Sequence, residues 1–491
     1  MMRSAGILLP VFSLHNDYGI GSFGRCAYEF VDFLKACGMK SWQVLPLGPT
    51  GFGNSPYQSS SSHAGNPLLI DLKMLKKDGV LTKDQLEAAK MPNPGKVDYD
   101  HLIGPRTELL MSTYEKGKEI YKDELAAFRT DNPWLPDFAL FSAIKEYYHD
   151  QPLSAWDEDI RLKKPAAVLH YAEMLKDRVD RYAWLQFLFF KQWKALKTYA
   201  NEKGIDIIGD LPIYCAPDSA DVWTEPQYYQ LEPDLSQSAG AGVPPDPFNE
   251  DGQNWGNPLY NWEKIKHDGY GLWIRRIDAA GKLFDRIRID HFLGFDRYYV
   301  IPAGRKDAKV GEWVKGPGMN LIGVLNSWFP KLSFIAEDLG LLQPSTVKLR
   351  EDSGWPGMNV LGFAFDSKGD SNFLPHNYRA NSVCYIGTHD NDTLLGTLAT
   401  YPEADKAFAM EYLNVKDEKD LPDAILRAGI ASVSDLFVAQ IQDLLGLGSE
   451  ARINEPGTVG AHNWCWRLQE GQLEKLDPKA IKKLLALYGR A

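Results

Sequence analysis

The sequence is poor in cysteine, and what it has is not arranged to staple a fold. Cys26, Cys37, Cys215, Cys384 and Cys465 are scattered, odd in number and form no CxxC pair. That pattern excludes a disulfide framework or a zinc site and points to a reducing compartment. No apolar run reaches membrane-spanning length. The opening MMRSAGILLPVF has one Arg, a short apolar run broken by Pro10, and no small-x-small cleavage site, so it reads as mature protein. A cytoplasmic protein is expected. Basic residues are outnumbered, and the net charge of −11 leaves no broad surface for nucleic acid or an anionic membrane. Uncharged substrates suit this balance better than phosphates. HExxH and GxSxG are absent, which removes the anchors for zincin and α/β-hydrolase chemistry. GIGSFG (19–24) matches a dinucleotide pattern, but no strand precedes it and no acidic residue closes a second strand. Its glycines are expected to shape a loop at a helix start. NEDGQN fails as a calcium loop because Pro247 stands where the first carboxylate ligand belongs. No metal and no cofactor is expected. There is no internal repeat and no low-complexity tail.

Aromatic residues, by contrast, are plentiful: 14 Trp, 23 Tyr and 22 Phe in 491 residues. Flat rings in a cleft are one way to hold sugars or bases. Short apolar runs at 41–49, 205–214, 286–292, 333–340, 360–365 and 382–390 each lead into polar or acidic residues and then a helical pattern. One such helix, over LQFLFFKQWKALKTYANEK, is expected to stop at Gly204. Alternating strand and helix predicts a parallel sheet. An open doubly wound sheet and a closed (β/α)8 barrel both fit. The barrel is favoured, because acidic and polar residues recur at strand C-termini, where barrel enzymes build their sites. A barrel uses about 250 residues, so roughly half the chain must be insertion. We expect 1–72 to begin the barrel, 73–200 to be a largely helical inserted subdomain, and 201–491 to complete the barrel. Within the last part, 234–258 is an insertion that reads as a long ordered loop or lid, rich in Gly, Pro and Asn.

RIRIDHF (286–292) sharpens the expectation. Ile287 and Ile289 alternate with Arg288 and Asp290, a strand whose second face is charged although its setting is buried. Asp290, Glu337 in FIAED and Asp390 in GTHD stand at three strand ends, about one strand–helix unit apart or slightly more. Any one could cap the following helix. The trio is better explained by convergence on one barrel mouth, since crowded carboxylates are unfavourable unless function requires them. Two carboxylates flanking a bond are the equipment of glycoside chemistry. Arg288 should keep Asp290 ionised as a nucleophile, and neighbouring negative charge should keep Glu337 protonated as an acid. His389 and Asp390 would hold sugar hydroxyls, with His291 close by.

Nine motifs in order, SAGILLPVFSLHNDYGIGSFG, SPYQSSS, GNPLLIDL, GDLPIYCAPDSADVW, GQNWGNPLYNW, RIDHFLGF, AEDLG, GTHDNDT and NEPGT, resemble the 4-α-glucanotransferases known as amylomaltases or disproportionating enzymes, of the α-amylase clan. The resemblance implies a (β/α)8 barrel with inserted subdomains and no C-terminal β-sandwich domain. It implies retaining transfer of α-1,4-glucan segments from maltooligosaccharides to the 4-hydroxyl of glucose or another glucan, by a monomer or homodimer. Asp290 then matches the family nucleophile, Glu337 the acid/base and Asp390 the transition-state stabiliser. Arg288, His389 and Asp210 match residues around the cleaved sugar, and Tyr57, with Ser55 in the same motif, matches the ring that stacks on it. Trp255, Phe363 and Asn454 match the acceptor side or groove. The residues themselves leave two rivals open: an α-glucan hydrolase and a catalytically silent glucan-binding protein.

Overall fold

The computed structural model describes residues 3–491 apart from 93, 94, 247, 248, 341, 369 and 370. Pro247 therefore lies outside the described residues. Eight parallel strands form one sheet in chain order: β1 (Ser4–Leu8), β2 (Ser41–Gln43), β3 (Asp206–Leu211), β4 (Arg286–Ile289), β5 (Ser333–Ala336), β6 (Gly357–Val360), β7 (Ser382–Tyr385) and β8 (Leu436–Gln440). β8 pairs with β1, so the sheet curls on itself. The seam between β5 and β6 is joined by Ala336 N donating to Pro356 O at 2.9 Å and Met358 N donating to Asp338 Oδ1 at 2.7 Å. The result is a (β/α)8 barrel, and among the described residues no strand follows β8.

Five of the six apolar runs contain barrel strands. The sixth is displaced: the strand is GMNV, and VLGFAF lies mostly beyond it, with Leu361–Phe363 forming a 3-10 turn. Gly357 and Asn359 are poor strand formers, so local preference hid the strand and the flanking apolar residues mimicked one. β1 and β8 were not anticipated. SAGIL has too little alternation to stand out, and LFVAQ runs straight into the helix Ile441–Leu445.

The helix Lys176–Glu202 ends before Gly204, whose φ of +76° supplies the left-handed stop that the sequence predicts. Its Trp193 and Leu196 are buried in the same apolar cluster as Ile7 and Ile207. Helices before it, including Leu135–Tyr147, build a second cluster with Trp156 and Trp223. GIGSFG is a loop: a Cβ on Gly21 would lie 1.9 Å from Val11 O, and Gly24 precedes the helix Arg25–Ala36. The stretch expected to be a loop or lid holds two strands, Ala239–Val243 and Gln253–Pro258, in an antiparallel sheet with Arg297–Pro302 and Glu312–Lys315. AGAGV has a single branched residue, Val243, among small ones, so its tertiary partners rather than its letters reveal the strand.

Candidate active site

Strand alternation decides which side chains enter the barrel. Ile287 and Ile289 pack in the hydrophobic core, which turns Arg288 the other way, into the barrel interior. On the adjacent strand Asp210 is register partner to Arg288. Arg288 Nη1 donates to Asp210 Oδ2 at 2.6 Å and to Asp290 Oδ1 at 3.0 Å. The Arg288 and Asp210 side chains are 3% and 0% exposed, while Asp290, just past the strand end, is 28% exposed. One guanidinium thus bridges a buried acid and an acid open to the cleft.

Glu337 follows β5 and is held differently. Its Oε2 accepts His291 N at 2.7 Å and its Oε1 accepts Leu339 N at 2.9 Å. His291 adopts φ +52°, left-handed for a residue with a Cβ, a conformation worth of order 1–3 kcal/mol of strain. That backbone turn presents the N–H to Glu337. The Trp255 ring meets His291 edge-on at 4.8 Å, so Gln253–Pro258 of the accessory sheet forms part of the same wall.

Asp390 lies in the loop after β7. Its Oδ1 accepts Asn454 Nδ2 at 2.6 Å, and its Oδ2 is 3.4 Å from His389 Nε2. Tyr57, from the loop after β2, joins this side to Arg288. Its hydroxyl donates to Asp210 Oδ2 at 2.8 Å and stands 2.8 Å from His389 Nε2, while the two rings stack at 5.3 Å and 9°. A hydroxyl that donates to Asp210 must accept from His389, which fixes the Nε2–H tautomer. Burial lowers the His389 pKa, so the ring is neutral. Tyr57→Phe should therefore leave the His389 N–H with Asp390 Oδ2, 3.4 Å away, and take one donor from Asp210, lowering unfolding stability by about 1–3 kcal/mol. Urea denaturation measures it, and an unchanged midpoint would refute the hydroxyl's bridging role.

None of the three acids caps a helix. The helices that follow are capped at Phe292, Gln343 and Thr393. Burial pushes the Asp290 carboxyl well above its usual range, opposed by Arg288 and reinforced by Asp210, Glu337 and Asp390. Burial also raises Glu337, again against Arg288. The expectation for Glu337 needs correction here: desolvation, rather than neighbouring negative charge, is the main cause. Burial likewise depresses the His291 imidazole to about 4, so it is neutral.

Two expected residues stand back from this network. Ser55 Oγ accepts Tyr57 N at 3.2 Å and so braces the loop behind the ring. Phe363, 40% exposed on the turn after β6, packs against Phe373 at 5.7 Å. Two residues were missed. Trp464 leans on Tyr57 at 5.7 Å and on His389 at 6.0 Å. Arg452 donates from Nη2 to Asp390 O at 3.0 Å and from Nε to Asn454 O at 2.8 Å, clamping two loops. An Arg bound to main-chain carbonyls leaves no sequence signature. Among the described residues no cluster of three or more His, Cys, Asp or Glu side chains could hold a metal ion, and no helix is long and apolar enough to cross a membrane.

Carboxylates gathered where barrel strands end, with rings beside them that can lie along a pyranose, characterise enzymes that break and remake glycosidic bonds. Comparison with known proteins narrows that class: the chain belongs to the 4-alpha-glucanotransferase family, whose profile matches residues 9–474. It is 44% identical over 483 residues to the 4-alpha-glucanotransferase of Thermus thermophilus, covering 96% of each chain. It is 41% identical over 486 residues to that of Clostridium butyricum, covering 98% of this chain and all of the relative. The amylomaltase of Streptococcus agalactiae, solved in complex with acarbose, superposes with a TM-score of 0.96 at 39% identity over the whole of both chains. This chain is accordingly an enzyme, a transglycosidase, rather than a silent binding protein.

Proposed function

We propose that Asp290 is the nucleophile, Glu337 the acid/base and Asp390 the transition-state stabiliser in retaining transfer between α-1,4-glucans. The observation that carries this reading is the asymmetric placement of Arg288, which touches Asp290 at 3.0 Å while Glu337 accepts the main-chain N–H groups of His291 and Leu339. Burial raises both carboxyls together, so they titrate as a pair. At Asp290 burial outweighs Arg288, so the charge alone does not set the order; the direct guanidinium contact is what favours the ionised form there, and the proposed division gives Asp290 the charge and Glu337 the proton.

Asp290 then attacks the anomeric carbon of a bound maltooligosaccharide. The bond to the leaving 4-oxygen breaks, and the Glu337 proton passes to that oxygen. A covalent β-glycosyl ester on Asp290 results. In the second half, Glu337 takes the proton from the 4-hydroxyl of glucose or another glucan, which attacks the anomeric carbon and frees Asp290. Two inversions retain the α configuration. The oxocarbenium-like carbon lies beside Tyr57, whose ring is held flat by His389, and Asp390 meets the sugar hydroxyls with its position set by Asn454. Trp255, His291 and Phe363 border the acceptor side, where a sugar must exclude water from the ester. We also place the enzyme in the cytoplasm, on the strength of five cysteines that stay unpaired in the fold.

Maltotriose alone tests the transfer. Incubation should give glucose and a ladder of longer oligomers, and products no longer than maltotriose would replace this reading with hydrolysis. Quenching with acid and digesting should recover a glycosylated peptide containing Asp290. A glycosyl group on Glu337 instead would reverse the two assignments.

A further inference from the structure

Arg276 lies in the helix Gly271–Leu283 and is only 1% exposed. Among the described residues it has no carboxylate partner. Its Nη1 donates to Ile213 O at 2.8 Å and to Tyr260 Oη at 2.5 Å, and its Nη2 donates to Pro212 O at 2.6 Å. The guanidinium lies 4.6 Å from the Trp273 ring centroid. Burying a charge without a carboxylate in direct contact is unfavourable, so what this cation holds in place matters. Pro212 and Ile213 directly follow the end of β3, and the carbonyl of Leu211 before them accepts Asp290 N at 3.0 Å. Tyr260 Oη adds a second donor to Ile213 O at 2.7 Å.

The side chain of Ile213 carries the clamp onward. Its Cδ1 sits where a Cβ on Gly294 would come within 2.7 Å, and His291 Cδ2 would be 3.2 Å from the same point. The Ile213 methyl is thus packed against the turn 291–294 at Gly294. That turn contains the left-handed His291, whose N–H reaches Glu337 Oε2 at 2.7 Å.

We propose that Arg276 is a positioning residue for Glu337: it pins the 212–213 carbonyls so that Ile213 supports the His291 turn and keeps the His291 N–H on the acid/base carboxyl. The inference rests on Glu337 being the acid/base. The charged groups around that carboxyl are Arg288, Asp290, Asp210 and Asp390 at the strand ends and Asp338 beside it. Substitution at 276 or 213 replaces none of them.

A hydrogen bond to a carboxylate favours its ionised form, so losing the His291 N–H raises the Glu337 pKa. The alkaline limb of kcat, where the acid loses its proton, must then move to higher pH. For Arg276→Met with maltotriose we expect kcat to fall about tenfold or more with KM within about twofold, and the alkaline limb to rise by about half a pH unit. Arg276→Lys, which can still reach one carbonyl, should recover part of both effects. Ile213→Ala breaks the relay without touching the buried charge and should show the same alkaline displacement. If Arg276→Met does not fold, Ile213→Ala decides alone. Folded variants whose kcat and alkaline limb match the parent overturn the inference, even if their melting temperatures fall. Glu337→Gln separates the two layers: an inactive Glu337→Gln beside an unaltered Arg276 series refutes only the positioning role. An active Glu337→Gln refutes the acid/base reading beneath it.

Discussion

Asp290→Asn should give a folded protein that binds maltooligosaccharides and transfers almost nothing, with the rate from maltotriose lowered by about 10⁴-fold or more, roughly 5 kcal/mol of barrier. The asparagine oxygen can still accept from Arg288 Nη1, and Arg288 retains Asp210 at 2.6 Å, so the network that holds the strand end survives. What disappears is the anion proposed to form the ester. The variant Asp290→Gly extends the test, because it opens space on the face from which the carboxylate attacks. With an α-maltosyl fluoride donor, azide should attack the anomeric carbon from that face, expel fluoride and yield the β-azide. Glu337→Ala with the same reagents should yield the α-azide, since Asp290 first forms its ester and azide then displaces it. Turnover near the parent rate for Asp290→Asn, or the opposite pairing of anomers, would remove Asp290 from the nucleophile position.

The charged face of RIRIDHF was legible because alternation is a property of the backbone. If Ile287 and Ile289 pack outward, Arg288 must point inward wherever the strand lies. The strand-end position of the acids was legible for the same reason. What the sequence could not show was contact across long separations. Asp210 and Arg288 meet through strand register, and Tyr57 reaches His389 by stacking from the far side of the barrel. The left-handed turn at His291 is likewise invisible, because nothing in the letters DHFLG announces a positive φ at histidine. Arg452 and Arg276 bind main-chain carbonyls, which every residue has, so neither pairs with a recognisable partner type. The cause assigned to the raised Glu337 pKa failed on a related point. Counting nearby charges in sequence found no cation, whereas in three dimensions burial dominates and Arg288 opposes it.

Arg288→Met should be the most damaging substitution outside the carboxylates themselves, because it removes the cation that, among the described residues, alone touches both Asp210 and Asp290. Breaking a buried pair by deleting one partner costs about 3–5 kcal/mol, and Asp210 is left buried with only the Tyr57 hydroxyl as donor on Oδ2. The sign of the pH effect follows. Without the guanidinium the folded-state pKa of Asp290 rises further, so its charged form destabilises the fold and its protonated form does not. The stability deficit, measured by urea unfolding, should therefore shrink as pH falls through the raised range and grow as pH rises. Catalysis should shift in the same direction. With Asp290 as the proposed nucleophile, the acid limb of kcat reports its ionisation and should move to higher pH. With Glu337 as the proposed acid/base, the alkaline limb reports its carboxyl, which Arg288 also lowers, so it should move up as well. The acid limb should move further, because Arg288 donates directly to Asp290 and to no atom of Glu337. The optimum then narrows and migrates upward. Arg288→Met with a reduced rate but an unmoved pH profile would mean that the guanidinium only holds the strand ends together. Unequal movement of the two limbs is what an electrostatic division of labour between the carboxyls requires.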